Sequence, residues 1–207
     1  MGFAGNIARD RAILAELLER LGLPVTLVSP LLSHARNVAE ASGRLGLVAP
    51  RDTSSIVPRH TADSMLFALA RAPVRGERWL DVGSGAGFPG LVLACCYPAT
   101  TFTLAEPNLR RAGFLELMAV DLGLNNVAVH SESAETAGSR FDVAVARAFR
   151  PPAEAFPAML ARLRVGGVAL IAAARSEPAP DGAVVAQIGD LGVVDSPGVV
   201  LMMTREA

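Results

Sequence analysis

The stretch Arg78–Gly90, Arg-Trp-Leu-Asp-Val-Gly-Ser-Gly-Ala-Gly-Phe-Pro-Gly, decides the fold. Its opening, Trp79-Leu80-Asp81-Val82, is a short apolar run carrying one acid, which suits a strand buried in a parallel sheet. Four glycines follow, at Gly83, Gly85, Gly87 and Gly90. Lacking a Cβ, they let the backbone turn sharply and approach a ligand closely. Pro89 suits the first turn of a helix, where its missing N–H costs nothing. Strand, glycine turn and helix N-terminus in succession build a nucleotide-sized pocket at the carboxyl end of a strand. A turn made for packing alone needs fewer glycines.

Two cofactor patterns fit this loop. Asp81-x-Gly83-x-Gly85-x-Gly87 has the form found in S-adenosylmethionine (SAM) methyltransferases, while Gly85-x-Gly87-x-x-Gly90 satisfies the dinucleotide fingerprint. Asp81, Gly83, Ser84, Gly85, Gly87 and Phe88 are its candidate cofactor contacts. The loop alone leaves a methyl donor and a nicotinamide cofactor open.

Downstream, strands at 101–105, 127–130, 141–146 and 168–173 alternate with helices at 89–97, 108–122 and 151–163. That alternation predicts βαβ units with right-handed crossovers. The tail holds two apolar runs, Val193–Val194 and Val199–Met203, expected to close one sheet edge as a hairpin or strand pair. Upstream, 6–21 reads as an amphipathic helix with Ile7, Leu14, Leu17, Leu18 and Leu21 along one side, ended by Gly22 and Pro24. A second helix is expected over 30–44, then a turn-rich link over 47–58. A third helix is expected over 65–71, with Thr61 placed to N-cap it. Residues 1–75 thus form an N-terminal helical extension and 76–207 a cofactor-binding domain. The fold class is α/β: a seven-stranded, mainly parallel Rossmann-like sheet.

Half of the 207 residues are hydrophobic and 19% are charged, a balance expected of a soluble globular protein. No apolar stretch is long enough for a transmembrane helix, and no secretory signal is read at the N-terminus. Cys95 and Cys96 are adjacent in an expected helix, where a disulfide between them is geometrically poor. They read as packing residues in a reducing cytoplasm. Metal-ligand spacing is absent from the sequence. The net charge of −1 argues against a strong global field for nucleic acid, so any RNA contact has to be a local patch. All 19 basic residues are arginine, whose guanidinium can fork onto phosphate and stack on bases.

Glu106 ends the second strand, 19 positions beyond Gly87, where a carboxylate can accept both hydroxyls of a bound ribose. SAM and NAD both carry that ribose. Ala134 and Glu135 follow the third strand, where an adenine edge lies in such a fold; Glu135 reads equally as a surface acid. Arg147 leaves the fourth strand facing the same crevice. Arg110 and Arg111 open a helix, where cations oppose the dipole, and read either as phosphate contacts or as a solvated face. His60 is either a functional contact or a polar residue near a helix start. No hydrolase triad, Walker loop or HExxH is present. Tyr97 is the only tyrosine and lysine is absent, which leaves a nicotinamide oxidoreductase without a Tyr/Lys or Ser/Tyr catalytic pair.

With these positions placed, the chain resembles the RsmG (GidB) family of bacterial 16S rRNA guanine-N7 methyltransferases. The resemblance runs from about Leu45 to Ala173. It rests on Arg59-His60-x-x-Asp63-Ser64, on Asp81-Val-Gly-Ser-Gly-Ala-Gly-Phe-Pro-Gly90, and on Leu104-x-Glu106-Pro-x-x-Arg-Arg111-x-x-Phe-Leu115. Ala134-Glu135 and Arg147-Ala-Phe149 complete it. Where the family carries a Lys-Gly pair after the fifth strand, this chain reads Ala172-Ala173-Ala174-Arg175. The resemblance implies SAM as cofactor, with Gly83, Phe88, Ala134, Glu135 and Arg147 lining its pocket. Arg59, His60, Arg110 and Arg111 are the candidate RNA contacts, and Arg147 is expected to help organise the catalytic crevice. The resemblance also implies a monomeric cytoplasmic enzyme acting on 16S rRNA or a small-subunit precursor, with no membrane partner and no metal. The alternatives are a SAM-dependent methyltransferase of another RNA or of a small molecule, and a non-catalytic SAM-binding RNA module.

Overall fold

The computed structural model describes residues 6–188 and 198–207. Three helices lead in: α1 (Ile7–Arg20), α2 (Val28–Leu45) and α3 (Ala62–Ala70). From Arg78 the chain alternates through β1 (Arg78–Val82), α4 (Gly90–Cys96), β2 (Thr101–Ala105), α5 (Leu109–Asp121) and β3 (Val127–His130). It continues with β4 (Phe141–Arg147), α6 (Pro152–Leu160), β5 (Leu163–Ala174), β6 (Val184–Ile188) and β7 (Gly198–Thr204). The strands form a seven-stranded sheet in the order β3-β2-β1-β4-β5-β7-β6. It is parallel except that β7 runs antiparallel to both β5 and β6. The expected Rossmann-like sheet is present.

Strand alternation sorts the core into two layers, because successive side chains point to opposite faces. Trp79, Phe102, Leu104, Val143, Val145 and Leu170 join the cluster covered by α1 to α5. Leu80, Val82, Ala144, Ala146, Ala169 and Ile171 face the other way, against Phe156 and Met159 of α6. The lead-in helices therefore share the larger core. At roughly 1.5–3 kcal/mol per fully buried large apolar side chain, Leu14, Leu17, Leu18 and Leu31 fasten them firmly to the sheet.

The lead-in departs from expectation in detail. Ile7 is 56% exposed and Leu21 half-buried, while Ile13 takes a core place instead. The third helix starts earlier than 65: a π-helical turn, Val57–Thr61, runs directly into α3. Thr61 is therefore not an N-cap, since its own backbone is helical and its hydroxyl bonds to nothing among the described residues. In the sheet, α6 ends at Leu160 and β5 begins at Leu163, shortening one element and lengthening the other. β7 contains the expected 199–203 run, but its hairpin partner is Val184–Ile188. The expected run Val193–Val194 lies outside the described residues. Cys95 and Cys96 are buried in α4 as free thiols, and burial pushes both up to about 12. No described helix is long and apolar enough to cross a membrane.

Candidate active site

Register assembles the site. Val82 lies opposite Ala105 on one side and Ala146 on the other. The residues that follow, Gly83, Glu106 and Arg147, therefore leave three neighbouring strands at the same level. β1 is where the strand order reverses, the place where open α/β sheets bind ligands.

The glycine turn is held from three directions. Gly83 and Gly85 adopt φ of +71° and +54°, left-handed backbone that disfavours any side chain. The buried Asp81 carboxylate accepts from Gly90 N at 3.0 Å, tying the strand to the start of α4. Burial pushes the Asp81 carboxyl up to about 7, with the Gly90 N–H opposing that rise. Glu106 is 5% exposed and accepts from Gly85 N through Oε2 and from Asn108 N through Oε1, both at 2.9 Å. From α2, buried His34 places Nε2 2.8 Å from Ala86 O, so Nε2 carries the proton and donates. Burial brings His34 down to about 4.

A crevice of about 220 Å³ opens beside this turn, lined by Leu47, Val48, His60, Gly83–Ala86, Phe88, Arg111, Arg147 and Ala148. His60 stacks on Phe88 with ring centroids 5.4 Å apart, and His34 tilts against the same ring at 4.9 Å. Both nitrogens of His60 are buried without a hydrogen-bond partner among the described residues. Burial first, then the Arg147 charge, hold its imidazole near 4 and hence neutral.

Arg147 reaches back to the lead-in segment. Its Nη2 donates to Arg59 O at 2.9 Å and to Asp63 Oδ2 at 3.2 Å. Burial pushes the Asp63 carboxyl up to about 6 against the pull of that guanidinium. Arg59 in turn pairs with Asp52 at 3.3 Å. The residue after Arg147, Ala148, has φ +52°, a strained conformation of the kind that collects at functional sites. It turns Phe149 onto Gly83, where a Cβ would meet the ring at 2.8 Å. Arg150 lies over the Phe149 ring at 4.7 Å, with Glu135 3.8 Å from its guanidinium.

Of the residues expected from sequence, Gly83, Ser84, Gly85, Phe88, His60, Arg111 and Arg147 meet around the crevice. Asp81 and Glu106 hold the turn by accepting from Gly90 N and Gly85 N, and Gly87 lies within it. Ala134 packs in the core layer with Val82 and Ala105, whereas Glu135 is exposed. Arg110 and Arg111 are committed to protein: Arg110 Nη2 donates to Arg44 O, and Arg111 donates to Leu45 O and Gly46 O. They satisfy the carbonyls left open at the end of α2. Sequence reasoning missed His34, Asp52, Leu47 and Val48, since nothing in local patterning brings them to the glycine turn. The one available signal was Asp63, already present in the quoted motif. No group of His, Cys, Asp or Glu among the described residues is arranged to hold a metal.

Comparison with known proteins agrees with this geometry. Residues 28–179 match the family model described as GidB, rRNA small subunit methyltransferase G. The protein of that name from Nitrosococcus oceani is 35% identical over 135 residues, covering 64% of this chain and 62% of its own length. That from Alkalilimnicola ehrlichii is 34% identical over 154 residues, covering 72% and 69%. Aligned segments thus span roughly two thirds of these relatives' length. Among solved structures, a mutant of MtNAS in complex with S-adenosylmethionine superposes with a TM-score of 0.61 at 17% identity, covering 95% of this chain and 78% of that one. That likeness concerns the fold. With a strand-end triplet of Gly83, Glu106 and Arg147 inside the matched segment, the chain belongs to the GidB family of rRNA small subunit methyltransferase G proteins.

Proposed function

We propose that this chain transfers a methyl group from SAM to N7 of a guanine in 16S rRNA of the small ribosomal subunit. The family match across 28–179 carries the reading, because it spans the glycine turn and both neighbouring strand ends. The site fits SAM in its donor and acceptor set. Open space lies over Gly85, where an added Cβ would meet only Gly83 O at 3.8 Å. Gly83, Ser84, Gly85 and Phe88 would hold the cofactor against the turn, supported by Asp81 and Gly87. Glu106 would accept the ribose hydroxyls, with Ala134 and Glu135 beside the adenine. When bound, SAM supplies a methyl group already activated by its sulfonium charge.

Guanine N7 has a lone pair and no proton, so no side chain has to act as a base. That suits a crevice whose histidine, His60, is held neutral. The chain's work is to fix nucleophile and methyl group in line and to accommodate the positive charge that the purine takes up. Arg147, paired with Asp63, organises the crevice without presenting an uncompensated cation. The target guanine has to leave its stack to reach this site. In this reading residues 1–75 are an extension of the domain 76–207, and the protein acts as a cytoplasmic monomer on 16S rRNA or a precursor particle.

The test is transfer of labelled methyl from SAM to unmethylated 16S rRNA and to precursor particles, with the product nucleoside identified by mass spectrometry. N7-methylguanosine is the expected product. Methyl transfer to another atom, or SAM binding with no transfer to either substrate, overturns the reading. Glu106→Gln, which can no longer accept through both atoms, is expected to weaken SAM binding about tenfold, the worth of one charged hydrogen bond.

A further inference from the structure

The chain is nearly neutral, yet its charges are unevenly divided. The first 75 residues carry nine arginines against six acids, and residues 76–207 carry ten against fourteen. The lead-in helices are therefore net +3 and the remainder net −4. Two of those six acids, Asp10 and Asp52, are buried, so the surface of the lead-in is more basic than the count.

That surface contains a groove. Between α1 and α2 lies a hollow of about 300 Å³ lined by Ile7, Arg11, Ser29, Leu32, Ser33 and Arg36. Arg11 is exposed and has no ion-pair or hydrogen-bond partner among the described residues. Arg36 pairs only loosely with Glu40, at 3.9 Å, and both side chains are more than half exposed. Two available guanidinium groups and two serine hydroxyls bring only donors of charge and hydrogen bonds to an anion, with no carboxylate among them. Ser29 and Ser33 stand in the first turns of α2, where the helix dipole also favours negative charge. Leu32 and the exposed Ile7 leave the floor apolar enough for sugar rings to pass over.

We propose that this groove holds the phosphodiester backbone of the RNA substrate, outside the crevice that takes the target base. The inference rests on the RNA reading above. One helix links the two sites: α2 presents Ser29, Ser33 and Arg36 to the groove, while His34 of the same helix holds Ala86 of the glycine turn. A strand gripped in the groove is thereby referenced to the crevice through a rigid element.

The test compares the full-length protein with R11E/R36E in binding in vitro transcribed 16S rRNA, at several salt concentrations. The expected result is at least a tenfold loss of RNA affinity at about 0.1 M salt, with an unchanged Kd for SAM. The salt slope should shrink by roughly 1.5, as for two lost phosphate contacts on single-stranded RNA. R11K/R36K, which keeps both charges, should recover most of the affinity and excludes a folding defect as the cause. Unchanged RNA affinity in R11E/R36E overturns the groove while leaving the methyltransferase reading intact. Binding to assembled particles that stays unchanged in R11E/R36E also overturns it. If the wild-type protein binds SAM but neither RNA nor particles, the RNA reading itself falls.

Discussion

Arg147 and Asp63, 84 positions apart in sequence, form a partly buried ion pair with Nη2 3.2 Å from Oδ2. It ties the end of β4 to the first turn of α3, and Arg147 itself lines the crevice. Burial raises the Asp63 carboxyl from 3.8 to about 6, so the fold holds this proton more tightly than the unfolded chain does. Any stability from this group is therefore greatest below pH 4 and declines as pH rises to about 6. The charged pair, in contrast, is complete only above that value. Methyl transfer is expected to rise with pH through about 6 and then level off. In Asp63→Asn the step should vanish and the plateau drop, because Arg147 is left uncompensated. A pH profile of kcat/KM for both proteins checks this, and an unchanged step in the variant refutes it.

His34 carries the opposite sign. Its folded value near 4 lies below the ordinary histidine value of 6.5, so acid favours the unfolded chain. The stability it contributes is present above pH 6.5 and is lost as pH falls towards 4, by up to roughly 1.4 kcal/mol per pH unit. His34→Gln keeps a donor for Ala86 O but cannot take up a proton. Urea unfolding between pH 7 and 5 should give a flatter stability curve for the variant than for the wild type. Parallel curves would remove His34 from this account.

The glycines of the turn are needed for different reasons, and alanine substitution separates them. At Gly85 there is room for a methyl group but φ is +54°, so Gly85→Ala should cost about 1–2 kcal/mol of backbone strain. At Gly90 an added Cβ runs into the Leu104 side chain and the Asp81 carboxylate, both buried and unable to retreat. Gly90→Ala should therefore cost more, about 3 kcal/mol. Calorimetric Tm values give the comparison. A larger drop for Gly85→Ala would reverse the assignment.

Arg110 and Arg111 clasp the last carbonyls of α2, at Arg44, Leu45 and Gly46. Replacing both with alanine should speed amide hydrogen exchange around the α2 C-terminus and the crevice wall at Leu47 and Val48. The cost in global stability should stay within about 2 kcal/mol, since both groups are partly solvated. Exchange unchanged in this segment would mean that the two arginines are free for RNA after all.

Much of the sheet-forming part of the chain was legible in its residues. Strands in this part are short runs rich in apolar and β-branched residues, and β2 and β3 fall where 101–105 and 127–130 predicted. Glycines and an acid at a strand end have few other uses, so the turn and Glu106 were found from local pattern alone. The family motif added Arg59, His60 and Asp63 as residues without stated geometry.

The rest depended on contacts between distant segments. The π-helical turn at Val57–Thr61 has no signature in propensity; packing against α1 and α2 holds it. Arg110 and Arg111 looked like phosphate contacts because a helix start with two cations lacks a local reason. Their partners arrive from 66 residues upstream. β6 carries little signal in the sequence because it lies at the sheet edge: Val184 and Val185 are both 53% exposed. Local order in this chain follows from each residue's own conformational and hydrophobic preferences, which the sequence states directly. Which side chains neutralise one another around the crevice is decided by strand register and helix docking, and those exist only once the sheet has formed.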